Sequence, residues 1–530
     1  MKKINRPIHL GLSVIMLSLM ISSSCAKKAS QASELRRPNI IYIMADDLTT
    51  QAISAYGGIY KEIAPTPNMD RLAREGMLFQ NVLCTNAICG PSRAVILTGN
   101  YSHINGYYKN ESGGRFDTTN WTFPQEFHEN GYQTALFGKW HLGTDPVGFD
   151  EYKFHSANGQ QGNYWNPRYN HNGQQVDEKG YATNLTTDFA LDWLAMREDS
   201  KPFLMLLQYK APHRPWDPDT KYETLWDDIE MPYPVTFNDD YKGREKTAGD
   251  TEMTMEYFMR RDMKLTPPAG LTDQETRVWN QYGAKPDEIV QPEGMTFEEG
   301  RKWRYQTYIK DYLACVKSVD DNIGRVLDYL DQHDLTDQTM IVLTSDQGFY
   351  LGDHGFFDKR FIYEESLRMP FIIRYPQRVK AGTINTDIIA NIDFAPTFMD
   401  VAEIESDEKL QGKSFAPMLD GKTPEGWRQS MYYHYYEFPF WHHVQPHYGI
   451  RTKQYTLAHF YYNIDQWELY DLQKDPHQLN NLIDDPAYEG VVTDLKNQLG
   501  VLQNNYGDHR SLDQFREITD RDFGNIMEAK

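Results

Sequence analysis

The sequence predicts an α/β protein: a large domain with a mainly parallel sheet flanked by helices, then a smaller C-terminal α+β domain with an antiparallel sheet. Three observations carry this. Short apolar, β-rich runs alternate with helical patterns over residues 38–420, as strands and crossover helices do in a parallel sheet. Four of those runs stop at clusters of acids, bases or cations. From about Gly421 the texture changes to short aromatic runs, then Trp467-Glu468-Leu469-Tyr470-Asp471-Leu472, which suggests a separate antiparallel sheet over 421–530.

Pro38-Asn39-Ile40-Ile41-Tyr42-Ile43-Met44-Ala45-Asp46-Asp47 carries an apolar, β-rich run that reads as a buried parallel strand and stops at two aspartates. Tyr132 to Phe137 leads into Gly138-Lys139-Trp140-His141-Leu142-Gly143. Phe203 to Gln208 leads into Ala211-Pro212-His213-Arg214-Pro215, and Met340 to Thr344 into Ser345-Asp346-Gln347-Gly348. Helical patterns at 68–75, 185–196 and 305–332 separate these runs. One aspartate after a strand is often no more than a helix cap. Four such endings favour one shared site, because sites in parallel sheets lie beyond the carboxyl ends of the strands. Between His213 and Tyr305 the chain turns irregular, acidic and Pro-rich, and reads as a long excursion over the surface.

The bulk numbers narrow the partners. A chain of 530 residues exceeds one ordinary core, and its 40% hydrophobic and 24% charged residues are ordinary for a folded protein. A net charge of -21 argues against nucleic acid, which is held by Lys and Arg, and against a long groove for an anionic polymer. An anionic substrate would be met in a small basic pocket. Four cysteines, Cys25, Cys84, Cys89 and Cys315, are too few for a disulfide scaffold and leave one Cys84–Cys315 bridge open.

Residues 1–25 read as a targeting segment: Lys2, Lys3 and Arg6, an apolar stretch from Ile8 to Ile21, then Ser22-Ser23-Ser24-Cys25. The small residues before Cys25 resemble a bacterial lipobox, which would make Cys25 a lipidated first residue. Plain cleavage after Ala26 is the other reading. Both imply export, to the periplasm or an outer-membrane anchor of a Gram-negative bacterium, with 26–37 as a polar linker.

The sharpest signal is Cys89-Gly90-Pro91-Ser92-Arg93 followed by Thr98-Gly99. Pro91 suits the first turn of a helix, whose free N–H groups attract an anion, and Arg93 adds a planar cation. A cysteine at a helix start is, by itself, either a thiolate nucleophile or an inert core residue. The whole segment, however, resembles the signature of the type I, formylglycine-dependent sulfatases of the alkaline-phosphatase-like superfamily. That resemblance implies that Cys89 becomes formylglycine (3-oxoalanine) through a maturation enzyme. It implies one Ca²⁺ held by Asp46, Asp47, Asp346, Gln347 and residue 89. Gln347 stands where relatives often carry Asn or His, and its carbonyl oxygen suits a hard cation. Gly138 to Gly143 resembles the family's G-K-W-H-x-G block, which assigns Lys139 to the sulfate and His141 to its release. His213 is assigned to the leaving oxygen as general acid, and Lys359 to the second anion-binding lysine, with Arg360 and His354 as its nearest competitors. By the same resemblance the aldehyde hydrate is the nucleophile, its second hydroxyl expels sulfate, and Arg93, Lys139, Lys359 and calcium carry the charge.

Asp358 to Arg368 and Tyr470-Asp471-Leu472…Asp475-Pro476 are similar to bacterial carbohydrate sulfatases of the N-acetylglucosamine-6-sulfatase type. The expected reaction is removal of sulfate from a sulfated saccharide by exo action, with 6-O-sulfated N-acetylglucosamine foremost. His434, Trp441, His442, His443, His447 and Arg451 are candidate sugar-reading residues of the C-terminal domain. Two other readings stand beside this one. One is a phosphate or phosphonate monoester hydrolase of the same superfamily, and the other a non-catalytic glycan-binding protein on the same scaffold.

Overall fold

The computed structural model describes residues 37–110, 115–255, 262, 291–405, 409–439 and 442–528. The targeting segment with Cys25, nearly all of the linker, and Trp441 lie outside the described residues. No helix among the described residues is long and apolar enough to cross a membrane.

The strands in chain order are β1 (Asn39–Ala45), β2 (Met77–Leu83), β3 (Gln133–Gly138), β4 (Glu151–His155), β5 (Arg168–His171), β6 (Gln174–Asp177), β7 (Phe203–Tyr209), β8 (Thr339–Thr344), β9 (Tyr350–Leu351), β10 (Phe357–Asp358), β11 (Arg368–Arg374), β12 (Thr383–Asn385) and β13 (Ile389–Ala390). An 11-stranded sheet runs in the order β12-β2-β11-β8-β1-β7-β3-β4-β5-β6, with β13 also on β2. Its centre is parallel: β1 pairs with both β7 and β8, and β3 with both β7 and β4. Toward the edges β11, β5 and β6 run antiparallel to their neighbours, so the expected mainly parallel sheet is mixed outside its core. The short β9–β10 hairpin stands apart. Four aromatic-rich strands, β14 (Ser430–Tyr435), β15 (His447–Thr452), β16 (Tyr455–Phe460) and β17 (Gln466–Asp471), form the expected C-terminal antiparallel sheet.

Burial explains the composition of β1. Its alternate residues serve two separate cores: Ile40, Tyr42 and Met44 pack into one, Ile41, Ile43 and Ala45 into the other. A strand buried on both faces keeps no polar positions. Among the helices, α1 (Pro67–Glu75), α2 (Cys89–Thr98), α3 (Ala182–Met196) and α4 (Phe297–Gln332) concern the site. The first core also holds α2 and the C-terminal sheet, and the second holds α4. Cys84 belongs to the first core and Cys315 to the second, and both are free thiols. The open Cys84–Cys315 bridge is thereby corrected: the sheet lies between them.

The registers align the strand ends. Ala45 stands opposite Tyr209, Met44 opposite Thr344, and Gly138 opposite Gln208. The residues that follow each strand, Asp46-Asp47, Asp346-Gln347, Lys139 and Lys210, therefore emerge along one rim.

Candidate active site

Helix α2 starts at Cys89 and is buried along its whole length. Each signature residue has a local task. Gly90 donates its N–H to Asn110 Oδ1 at 2.9 Å, and a Cβ there would come within 2.6 Å of both that oxygen and the Tyr107 ring. Pro91 falls in the first turn, where its missing N–H costs nothing. The Ser92 hydroxyl donates to the Asp346 carbonyl and accepts from Asn391 Nδ2 at 3.0 Å, which ties the helix to the end of β8. Gly99, at φ 64°, ends the helix by donating its N–H to Val95 O. Burial pushes the Cys89 thiol up to about 12, so the unmodified cysteine is no thiolate at neutral pH.

Arg93 faces the strand ends. Its Nε donates to Asp346 Oδ2 at 3.1 Å and its Nη2 to Asp46 Oδ1 at 3.3 Å. Nη1 donates to Lys139 O and Gln208 Oε1, both at 2.9 Å. The guanidinium thus spends its hydrogen bonds organising the carboxylates. Lys139 Nζ donates to Asp46 Oδ2. Lys359, just after β10, donates from Nζ to Asp47 Oδ1 at 2.6 Å across 312 positions of sequence. Its nearest competitors turn elsewhere: Arg360 to Asp358 and Glu437, and His354 to Asp239.

Three carboxylates, those of Asp46, Asp47 and Asp346, bring ligand oxygens within 4.8 Å of one another. Asp46, Cys89 and His213 form a second such group. Burial opposes ionisation of Asp46, but Lys139, His213 and Arg93 hold it well below the usual carboxylate range. Burial and the Asp46 charge push Asp346 up to about 7. Gln347 Nε2 donates to Asp47 Oδ1 at 2.6 Å, leaving Gln347 Oε1 and Asp47 Oδ2 buried with no hydrogen-bond partner. Buried acceptors without donors are costly. Three carboxylates and an amide carbonyl form an all-oxygen set that fits a hard cation such as Ca²⁺ rather than zinc.

The two histidines differ in how they are held. His213 meets the Arg214 carbonyl through Nδ1 at 2.8 Å, which puts its proton there and leaves Nε2 3.8 Å from Asp47 Oδ2. His141, at φ 58°, meets the Gln161 side-chain amide through Nε2 at 2.8 Å, and its Nδ1 is buried without a hydrogen-bond partner. Burial, with Lys139 nearby, holds both rings well below the ordinary imidazole value. Positive φ recurs at the site, at Asp47, His141, Asp358, Arg360 and His442, as backbone strain does at functional centres.

A polar group missed by the sequence reading adjoins this centre. Asp358 accepts from Arg214, from Arg360 Nη1 at 3.2 Å and from the Lys359 N–H at 2.8 Å, and meets His442 Nε2 at 3.0 Å. Arg360 reaches Glu437 Oε1 at 3.7 Å, and Glu437 Oε2 accepts the N–H of Asn110, whose side chain holds Gly90. Only the adjacency of Asp358 and Arg360 to Lys359 signalled them in the sequence.

The other C-terminal candidates are committed to the protein. His434 bonds Tyr432 and Asp508 through Nδ1 and Tyr461 through Nε2. His447 accepts the Ile362 N–H at Nε2 and bonds Gln445 O through Nδ1. Arg451 makes a two-pronged pair with Glu364, both contacts at 2.9 Å. His443, half-exposed, pairs with Glu252 at 3.1 Å. Of the described members of the expected sugar-reading set, His442 joins the Asp358 group, while His434, His443, His447 and Arg451 bond other protein groups.

A parallel-centred sheet, a buried Cys-x-Pro-Ser-Arg helix start and an all-oxygen cation set on the rim define the class: a hydrolase of the sulfatase type. Residues 38–404 match the sulfatase family model, and residues 352–505 match the model for N-sulphoglucosamine sulphohydrolase, C-terminal. The chain belongs to the sulfatase family, whose members hydrolyse sulfuric esters. It is 44% identical over 524 residues to an N-acetylglucosamine-6-O-sulfatase of Bacteroides thetaiotaomicron, spanning 95% of this chain and 92% of that one. A solved structure in complex with its substrate D-glucosamine-2-N,6-O-disulfate superposes with a TM-score of 0.81 at 43% identity, over 90% of this chain and 99% of that one. A phosphonate monoester hydrolase from Silicibacter pomeroyi shares the fold, with a TM-score of 0.68 at 21% identity over 89% and 96% of the two chains.

Proposed function

We propose that this sulfatase removes the 6-O-sulfate from terminal N-acetylglucosamine or glucosamine residues, with residue 89 matured to formylglycine and one Ca²⁺ at the rim. The observation that carries the chemistry is the position of Cys89. It heads a buried helix beside three carboxylates and an amide, of which Asp47 Oδ2 and Gln347 Oε1 are buried without a hydrogen-bond partner among the described residues. Support for the sugar comes from the relative that aligns with 95% of this chain.

Matured, residue 89 supplies an aldehyde hydrate that attacks sulfur and afterwards lets sulfate go without an outside nucleophile. Asp46, Asp47, Asp346 and Gln347 would hold the Ca²⁺, which when bound would supply positive charge for the sulfuryl oxygens. Lys139 and Lys359, both buried, add fixed cations that need no rearrangement as charge develops. Arg93 keeps Asp46 and Asp346 in place. His213 presents Nε2, the nitrogen not engaged by the Arg214 carbonyl, to the leaving oxygen; to act there as general acid it must be imidazolium, the form an anionic substrate beside it favours. His141 takes a proton at Nδ1 when sulfate is freed.

The N-terminal segment supports export with Cys25 lipidated, and a Cys25→Ser variant then fails to incorporate labelled palmitate. The functional test is sulfate release from N-acetylglucosamine-6-sulfate compared with the 3-sulfate and with a phosphonate monoester. Preference for the 6-sulfate supports the proposal; preference for the phosphonate ester replaces it with the superfamily's other reaction.

A further inference from the structure

The connection from β4 to β5, residues 156–167, grips both histidine loops of the site. Gln160 Oε1 accepts the N–H groups of Leu142 at 3.0 Å and Gly143 at 2.9 Å, and its amide nitrogen donates to Thr144 O at 3.2 Å. These bonds brace the turn that follows His141, itself held at φ 58°. Tyr164 donates its hydroxyl to the His213 carbonyl at 2.5 Å. Between them, the Gln161 amide nitrogen faces His141 Nε2 at 2.8 Å, while Gln161 Oε1 is buried without a hydrogen-bond partner among the described residues. These bonds run to the two histidine loops rather than to the rim carboxylates.

A neutral imidazole carries one N–H, and the atom that faces Nε2 decides where it sits. A side-chain amide can present either its nitrogen or its oxygen. Here the nitrogen faces Nε2; turned over about its terminal bond, the amide puts its unpartnered oxygen there, accepts Nε2–H and leaves Nδ1 a lone pair. Nδ1 is buried and has no hydrogen-bond partner among the described residues, which leaves it for the reacting group to meet. We propose that Gln161 is a positioning residue that orients His141 and holds its proton on Nε2, leaving Nδ1 as the atom that accepts the proton when sulfate is freed. This rests on the reading of His141 as that base. It assigns a kinetic role to a loop whose Asn, Gly and Gln content marks it only as a turn.

The consequence is specific to one step. The value of kcat/KM covers the reaction through departure of the alcohol, whereas kcat also includes the release of sulfate that follows. Gln161→Met keeps the length and loses the hydrogen bond; Gln161→Glu keeps an accepting oxygen. On N-acetylglucosamine-6-sulfate, with formylglycine content equalised by peptide mass, Gln161→Met should lower kcat about 10- to 100-fold, the usual size for an outer partner of an active histidine. Its kcat/KM should stay within about 3-fold of wild type, and Gln161→Glu should recover most of the kcat. His141→Ala, measured alongside, should lose at least as much kcat. Wild-type kcat in Gln161→Met with an impaired His141→Ala overturns the role of Gln161. A parallel fall in kcat and kcat/KM that Gln161→Glu does not rescue also overturns it, as a structural effect. Wild-type kcat in His141→Ala instead overturns the assignment of His141 beneath it.

Discussion

Two regions of this molecule bury histidines and carboxylates, and they treat them in opposite ways. At the rim of the large sheet, Asp47 Oδ2, Gln347 Oε1 and His141 Nδ1 are buried and left without hydrogen-bond partners. In the C-terminal sheet, both ring nitrogens of His434 and of His447 are bonded, to Tyr432, Asp508 and Tyr461 in one case and to Ile362 and Gln445 in the other. Burial and residue type are shared. At these residues hydrogen-bonding capacity is unspent at the rim and spent in the sheet, although Arg451 Nη1 and Thr456 Oγ1 of that sheet also lack a partner among the described residues; what marks the rim is that its unpaired acceptors sit together beside Cys89.

That contrast is broken most severely at Asp47, which meets Lys359 and Gln347 and offers an oxygen to the cation. Asp47→Ala should lower kcat/KM by about 10³-fold or more, and should abolish the rise in Tm that Ca²⁺ gives to chelator-treated wild type. Lys359→Ala comes next, with a loss of about 10²-fold, mostly in kcat, because a fixed cation is worth most where charge develops. A wild-type rate in either variant would dissolve the rim as a working unit.

On the scaffold side, His434→Ala strands Tyr432, Tyr461 and Asp508 around a cavity. Unfolding stability should fall by about 2–4 kcal/mol while kcat/KM stays within about 3-fold of wild type. Denaturant unfolding and steady-state rates on one preparation check both halves. The smallest effect is a slope. Burial holds His155 and His447 down to about 3 in the fold, whereas the unfolded chain protonates them near 6.5. Their contribution to stability is complete above pH ~6.5 and is lost as pH falls from there toward 3, at about 1.4 kcal/mol per pH unit for each ring. His447→Phe should flatten that acid limb, read as Tm against pH between about 6.5 and 4; an unchanged slope would place the proton uptake elsewhere.

The sequence revealed whatever is local. The run Ile40 to Ala45 ending in Asp46-Asp47, and the segment Cys89 to Gly99, carry their reasons within a few residues: a strand buried on both sides, a Gly that only Asn110 and Tyr107 make necessary, a Pro in a first turn, a Gly that ends a helix. Hidden from it were groups assembled from distant chain. Asp358 meets Arg214 and His442 from three separate segments, and Gln161 reaches His141 from an edge of the sheet. His434, His447 and Arg451, close in sequence, are parted by the sheet: His434 lies on one face and His447 and Arg451 on the other, each bonded to its own protein partners.

The most direct measurement couples the mass of the peptide containing residue 89 to sulfate release from N-acetylglucosamine-6-sulfate, in wild type and Cys89→Ala, from a host that supplies the maturation enzyme. Formylglycine at position 89, with release by wild type and a loss of about 10⁴-fold or more in Cys89→Ala, is the expected result. Equal release by Cys89→Ala, or release by wild type whose residue 89 is still cysteine, would contradict it.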